Sequence, residues 1–193
     1  MDIKSLTATG YKPHELNIFN ENDIKVQVIK EAIKRRLLPY VQAGLEWIVI
    51  SGQPGVEMWA YDVIHSLKED YNIRVAVIPP FVNQEKVWNE ERQNKYQKML
   101  AQADFTKPLS EKEYENPRQY QTRDRWLIEK TDGALILFEE EYGGSPKYFY
   151  RLVRQYQEEQ SYESIIINAF ELDDVAFDLQ ESGQLKQNDD KGD

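Results

Sequence analysis

The sequence predicts an α/β protein built on a doubly wound, mostly parallel sheet with helices on both faces. Three observations carry this. Apolar runs of four to seven residues alternate with segments of helical period, the runs end in Gly or Pro, and the order is strand, helix, strand throughout. Parallel strands need crossovers, and right-handed crossovers distribute helices over the two faces.

The first strand is residues 3–9. Asp23 then caps a helix in which Val26, Ile29, Ile33, Leu37 and Tyr40 recur at steps of three and four, with Gly44 as its stop. Residues 45–51 form the second strand and 55–70 the second helix, where Val56, Trp59, Ala60, Val63, Ile64 and Leu67 share a face. The third strand, 73–78, ends at Pro79 and Pro80 because proline cannot donate to the ladder. A helix through Tyr96, Met99, Leu100 and Ala103 leads to a weak edge strand interrupted by Pro108. Pro117 fits a helix first turn, and that helix runs through Tyr120, Leu127 and Ile128 to the turn at Asp132 and Gly133. The strand 134–138 follows, then a helix opened by Ser145 and Pro146 with Phe149, Leu152, Val153 and Tyr156 on its core face, and a last strand at 164–169. One domain is expected over residues 1–178, followed by a polar, poorly ordered tail at 179–193.

Composition narrows the function. The 193 residues contain no cysteine, which excludes disulfides and thiolate metal sites, and two distant histidines give no zinc pattern, so no metal site is expected. No apolar run approaches the roughly 20 residues of a membrane span, and the N-terminus lacks a signal-type apolar stretch, so a cytoplasmic protein without membrane contact is expected. A net charge of −10 disfavours nucleic acid as a partner.

In sheets of this kind ligands bind outside the carboxyl ends of the strands. Three loops fall there. The first is Ser51-Gly52-Gln53-Pro54-Gly55-Val56-Glu57, where a buried strand passes through two glycines directly into a helix. Gly52 and Gly55 permit a tight turn and close approach of an anion to backbone N–H groups at the positive end of the helix. Glu57 in the first turn has the chemistry to accept from a ribose hydroxyl or to act as general acid or base. The second loop offers Gly10 for close approach, Tyr11 for stacking and Lys12 as a cation; the third, with Gly143, Gly144, Ser145 and Lys147, presents a second helix N-terminus. Each also reads as an ordinary structural turn, and convergence on one sheet edge is what favours a site.

Other features read as structural. Trp59, Tyr120 and Trp126 are expected in the core or an interface; Arg118, Arg123 and Arg125 form a basic cluster with the charge to meet phosphates, though a solvated helix face is the favoured reading. His65 lies roughly 12 Å along the helix from Glu57, too far to share its chemistry. Glu139, Glu140 and Glu141 either hold a cation or stay in water.

At these motifs the sequence resembles the YpsA family of the SLOG superfamily, Rossmann-like proteins, over about residues 1–175. The matching segments are TGYKPHELNIF, LEWIVISGQPGVEMWA, VAVIPPF, KTDGALILF and GSPKY. SLOG proteins are similar to the DNA-processing protein DprA and to Lonely-guy hydrolases and are associated with nucleotide-derived ligands. The resemblance implies weight on Gly52, Gly55 and Glu57, on Gly10 and on the loop from Gly143 to Ser145. It also implies a link to cell division, and hence protein partners there. The Gly143–Lys147 loop lacks the Thr and Glu of the Lonely-guy signature, which argues against phosphoribohydrolase activity. The resulting expectation is a regulatory protein binding a nucleotide-derived small molecule, with no obligatory cofactor. An N-glycosidic hydrolase and a protein-interaction module with a vestigial pocket are the alternatives, and homo-oligomerisation stays open.

Overall fold

The computed structural model describes residues 2–185. Its elements in chain order are β1 (Ser5–Gly10), α1 (Ile24–Gln42), β2 (Trp47–Ile50), α2 (Val56–Leu67), β3 (Arg74–Val77), α3 (Glu90–Gln102), β4 (Phe105–Thr106), α4 (Arg118–Lys130), β5 (Gly133–Leu137), α5 (Pro146–Glu159), β6 (Glu163–Ile167) and α6 (Ala169–Glu181). The strands form one sheet in the order β4-β3-β2-β1-β5-β6, and every neighbouring pair is parallel. The doubly wound Rossmann-like architecture is therefore present.

The sheet is covered on both faces, which is why its central strands are continuous apolar runs instead of alternating ones. All five residues of β5 are buried, as are Ile48, Val49 and Ile50 of β2. Register places Leu6 of β1 opposite both Ile48 and Gly133. Helix α1 begins at Asp23, whose carboxylate accepts from the Lys25 N–H, and ends before Gly44 at φ +101°. It packs on α2 and α6, while α4 packs on α5 across the sheet. The edge strand β4 is two residues long, pairs with Ala76 and Val77, and stops before Pro108.

The C-terminal end differs from expectation. The last strand stops at Ile167, and Asn168 caps a further helix, α6, by accepting from the Glu171 N–H. Leu172, Val175 and Leu179 follow at helical spacing; Val175 and Leu179 are buried. The boundary drawn at 179 thus falls inside α6, and Leu185 still packs against the core. The strongly acidic composition around Asp173 and Asp174 hid this stripe. The rest of the expected tail, 186–193, lies outside the described residues. No helix among the described residues is long and apolar enough to cross a membrane.

Candidate functional site

After β4 the chain returns to the far side of β1, so the switch in winding direction falls between β1 and β5. A cleft of about 200 Å³ opens at the carboxyl ends of the strands there. Thr9, Gly10 and Lys12 line it from the first loop, Gln53 and Glu57 from the second, and Ser145, Pro146 and Phe149 from the third. The three loops do converge. Helix α4 supplies the remaining wall with Tyr120, Arg123 and Asp124.

The Ser51–Glu57 turn is folded around its own carboxylate. Glu57 is 5% exposed. Its Oε2 accepts from the Ser51 N–H at 2.9 Å, the Ser51 hydroxyl at 2.9 Å and the Gln53 N–H at 3.1 Å. Its Oε1 accepts longer bonds, at 3.2 Å, from the Thr9 and Ser51 hydroxyls. The N–H groups expected to await an anionic ligand therefore already hold an anion, and the Val56 N–H at the helix start donates to the Tyr11 carbonyl. The Ser51, Gln53 and Val56 N–H groups are thus engaged within the protein, and Oε1 is the less committed face of the carboxylate.

The glycines serve packing. Gly55 sits at φ +93°, where a Cβ would lie 2.4 Å from the Tyr11 carbonyl oxygen. At Gly52, φ +85°, a Cβ would meet the Tyr96 ring at 2.8 Å. Gly10 admits the Val56 side chain in the same way. Each missing Cβ thus makes room for another segment of the protein.

Tyr11, expected to stack on a ligand, is instead a buried pillar. Its hydroxyl donates to the Gly143 carbonyl at 2.8 Å and accepts from the Glu139 N–H at 3.0 Å, tying the first loop to the third, and Gly144 leaves room for its ring. The third loop is also internally satisfied. Glu15 accepts from the Ser145 N–H and hydroxyl, both at 2.7 Å, and from the Lys12 N–H at 2.8 Å. Burial works to raise the Glu15 carboxyl, but these donors outweigh it and hold its pKa below the usual carboxylate range. The start of α5 is consequently capped by protein. Lys147 is exposed and lies outside the cleft lining.

Three polar residues of the site escape a linear reading. Arg123 does not lie on a solvated face: its guanidinium grips Asp124 Oδ1 at 2.7 and 2.9 Å, reaches the Ser51 hydroxyl at 3.4 Å and sits 5.3 Å from the centre of the Tyr120 ring. Arg118 and Arg125 are exposed as expected. Burial raises the Asp124 carboxyl, and the Arg123 charge offsets part of that. Gln84 is buried after β3; its amide donates to the Ser51 carbonyl at 2.7 Å and to the Tyr96 hydroxyl at 3.0 Å, and it accepts from Gln53. Helical spacing carried a signal for the first two, since Arg123 and Asp124 precede the buried Leu127 and Ile128 by four residues each. Tyr120 lines the cleft; Trp59 is fully buried.

A family model described as the YspA SLOG family matches residues 6–172. The chain belongs to the YpsA family of SLOG proteins. This YpsA-family chain is 45% identical to UPF0398 protein OB1025 of Oceanobacillus iheyensis, over 92% of its own length and 95% of that protein. It is 43% identical to a UPF0398 protein of Lysinibacillus sphaericus, over 90% and 97%. To UPF0398 protein lmo1889 of Listeria monocytogenes it is 42% identical, over 93% and 99%. Among solved structures, DNA processing protein A (DprA) of Streptococcus pneumoniae shares its fold, with a TM-score of 0.53 and 12% identity, over 94% of this chain and 58% of DprA.

Proposed function

We propose that this protein is a regulatory binding protein for a nucleotide-derived small molecule, held in the cleft between β1, β5 and α4. One observation carries the reading: at the winding switch of a SLOG fold, two carboxyls, Glu57 and Asp124, and two cations, Lys12 and Arg123, line the same small cleft. Such a balanced set suits a hydroxylated sugar with an anionic group attached. The carboxylates accept from ribose hydroxyls, Arg123 and Lys12 meet the phosphate, and Tyr120 faces the remainder. At about 200 Å³ the cleft is smaller than the roughly 300–1,000 Å³ of a typical ligand pocket, so only part of a nucleotide enters it. The hydrogen bonds of Glu57 to the Ser51 and Gln53 N–H groups hold the turn that walls the cleft, a positioning role that supports binding over turnover.

The test is mass spectrometry of small molecules released from the purified, denatured protein, alongside a folded Arg123→Ala variant. A nucleotide-derived mass from the wild type and none from the variant supports the reading; none from either, with no calorimetric binding of nucleotides at millimolar concentration, overturns it. The buried Asp124, with its raised pKa, favours an N-glycosidic hydrolase as the second reading, since a carboxyl that retains its proton more readily can protonate a leaving base. Release of free base from nucleotides, lost in Asp124→Asn, would select it. DNA processing, the named role of the DprA neighbour, is not carried over, because the charge of −10 opposes it.

A further inference from the structure

Helix α6 carries apolar residues on two sides. One side, with Val175 and Leu179, is buried against the body of the protein, whereas Phe170 and Phe177, seven residues apart and so on one face, are 73% and 63% exposed. Phe177 borders a hollow of about 530 Å³, walled by Ile24, Val28 and Ile29 of α1 and by Leu172 and Ala176 of α6. A second apolar hollow, of about 290 Å³, adjoins it at Leu16 and Leu172 and ends at Tyr142. The result is one apolar strip whose Tyr142 end reaches Glu15, behind the loops that line the proposed nucleotide cleft. Taking about 200 Å² for each large side chain, the exposed parts of Phe170, Phe177, Tyr142 and Ile24 amount to roughly 450 Å². That is the size of the largest apolar patch on a typical monomer, about 300–600 Å² and often functional.

We propose that this strip is the interface of a symmetric homodimer, with the phenylalanines of each copy seated in the hollow of the other. A two-fold interface must be complementary to itself, and this surface holds both the projecting rings and the apolar hollow that receives them. The area agrees: two copies bury about 900 Å² from those four side chains alone, close to the roughly 1,000 Å² of a specific interface before the neighbouring residues are added. Charge agrees as well. Lys25 and Asp173 are exposed on the two walls of the larger hollow, and neither forms an ion pair among the described residues; the Lys25 ammonium donates to the Leu16 carbonyl, at 3.2 Å. A two-fold axis through the strip sets Lys25 of each copy against Asp173 of the other.

Sedimentation velocity on the full chain, from about 1 to 100 µM, tests this. Dimers with micromolar dissociation are expected, and Phe170→Asp or Phe177→Asp should weaken association about 100-fold while circular dichroism and Tm stay unchanged, since both rings are exposed. The charges identify the occupant. Lys25→Asp and Asp173→Lys each place like charges together and should weaken the dimer, whereas both changes in one chain should restore it, which happens only when the partner is a second copy. A chain still monomeric at the highest concentration, a dimer indifferent to the phenylalanine changes, or a failure of the double reversal to restore association would each overturn the proposal.

Discussion

Gly55 and Gly143 both have positive φ, yet their surroundings differ, and that difference predicts unequal costs. A Cβ at Gly55 strikes the Tyr11 carbonyl oxygen at 2.4 Å, whereas one at Gly143 meets nothing within 4 Å. Gly143→Ala should therefore cost only the backbone term of about 1–2 kcal/mol, and Gly55→Ala distinctly more, because the loop must also move. Denaturant titration of both variants checks the order. Placing a carboxylate at Gly55 to repel a ligand is consequently a poor probe: the helix dipole favours it, but the backbone does not accept a side chain. Glu57 gives a second contrast. Glu57→Ala leaves the N–H groups of Ser51 and Gln53 unpaired in a buried turn and should cost about 3 kcal/mol or more, while Glu57→Gln keeps an acceptor oxygen for them and should cost about half as much. Equal losses in the two variants would mean that the carboxylate does not organise the turn.

Between elements, Glu15 joins the first loop to the start of α5. Its carboxyl pKa is lowered on folding, so the stability it confers is fully present above its unfolded value, about 4.3, and disappears as pH falls through the lower folded value. Glu15→Gln should lower Tm by a constant amount from pH 7 to about 5, with the gap to the wild type closing below about pH 4. A gap that widened in acid would contradict the capping role. Helix α6 supplies another test, because Leu179 is buried and Leu185 packs on the core. Truncation after 178 should lower Tm by several degrees. These two cases also mark where sequence reading stops. Strands such as β2 and β5 announce themselves through local apolar runs, and α1 through its period and the Asp23 cap. Glu15 and Ser145 are 130 residues apart, and nothing local says that one carboxylate will fill the other helix's N-terminus. The Ser51–Glu57 turn was visible as a glycine-bearing strand-to-helix junction; that its own Glu57 folds back onto the N–H groups was not, because periodicity places a residue on a helix face without telling where a long side chain bends. Charge points Arg123 to solvent, although its spacing from Leu127, like that of Asp124 from Ile128, puts it on the inward face.

For the molecule as a whole, the question is how an excess of ten negative charges acts at a distance. Duplex DNA is held chiefly by lysines and arginines that displace counterions from its phosphates, and the gain grows with the number of phosphates neutralised. Here several cations outside the cleft are already engaged: Lys95 with Glu21 and Asp62, Lys68 with Asp104 and Arg35 with Asp178. A phosphate backbone would have to compete with these carboxylates while approaching a protein of its own sign. Affinity for random duplex DNA should accordingly be weaker than about 1 µM at physiological salt, with a shallow dependence on salt because few counterions are released. A small nucleotide escapes most of this penalty, since it enters a cleft where two cations balance two carboxyls and carries only one or two phosphates to repel the distant charge. Fluorescence anisotropy with a labelled duplex at about 50 and 200 mM salt distinguishes the cases. Submicromolar binding that falls by about 1,000-fold between those salt concentrations would demand several engaged phosphates, and hence a basic surface that this distribution of ion pairs does not provide.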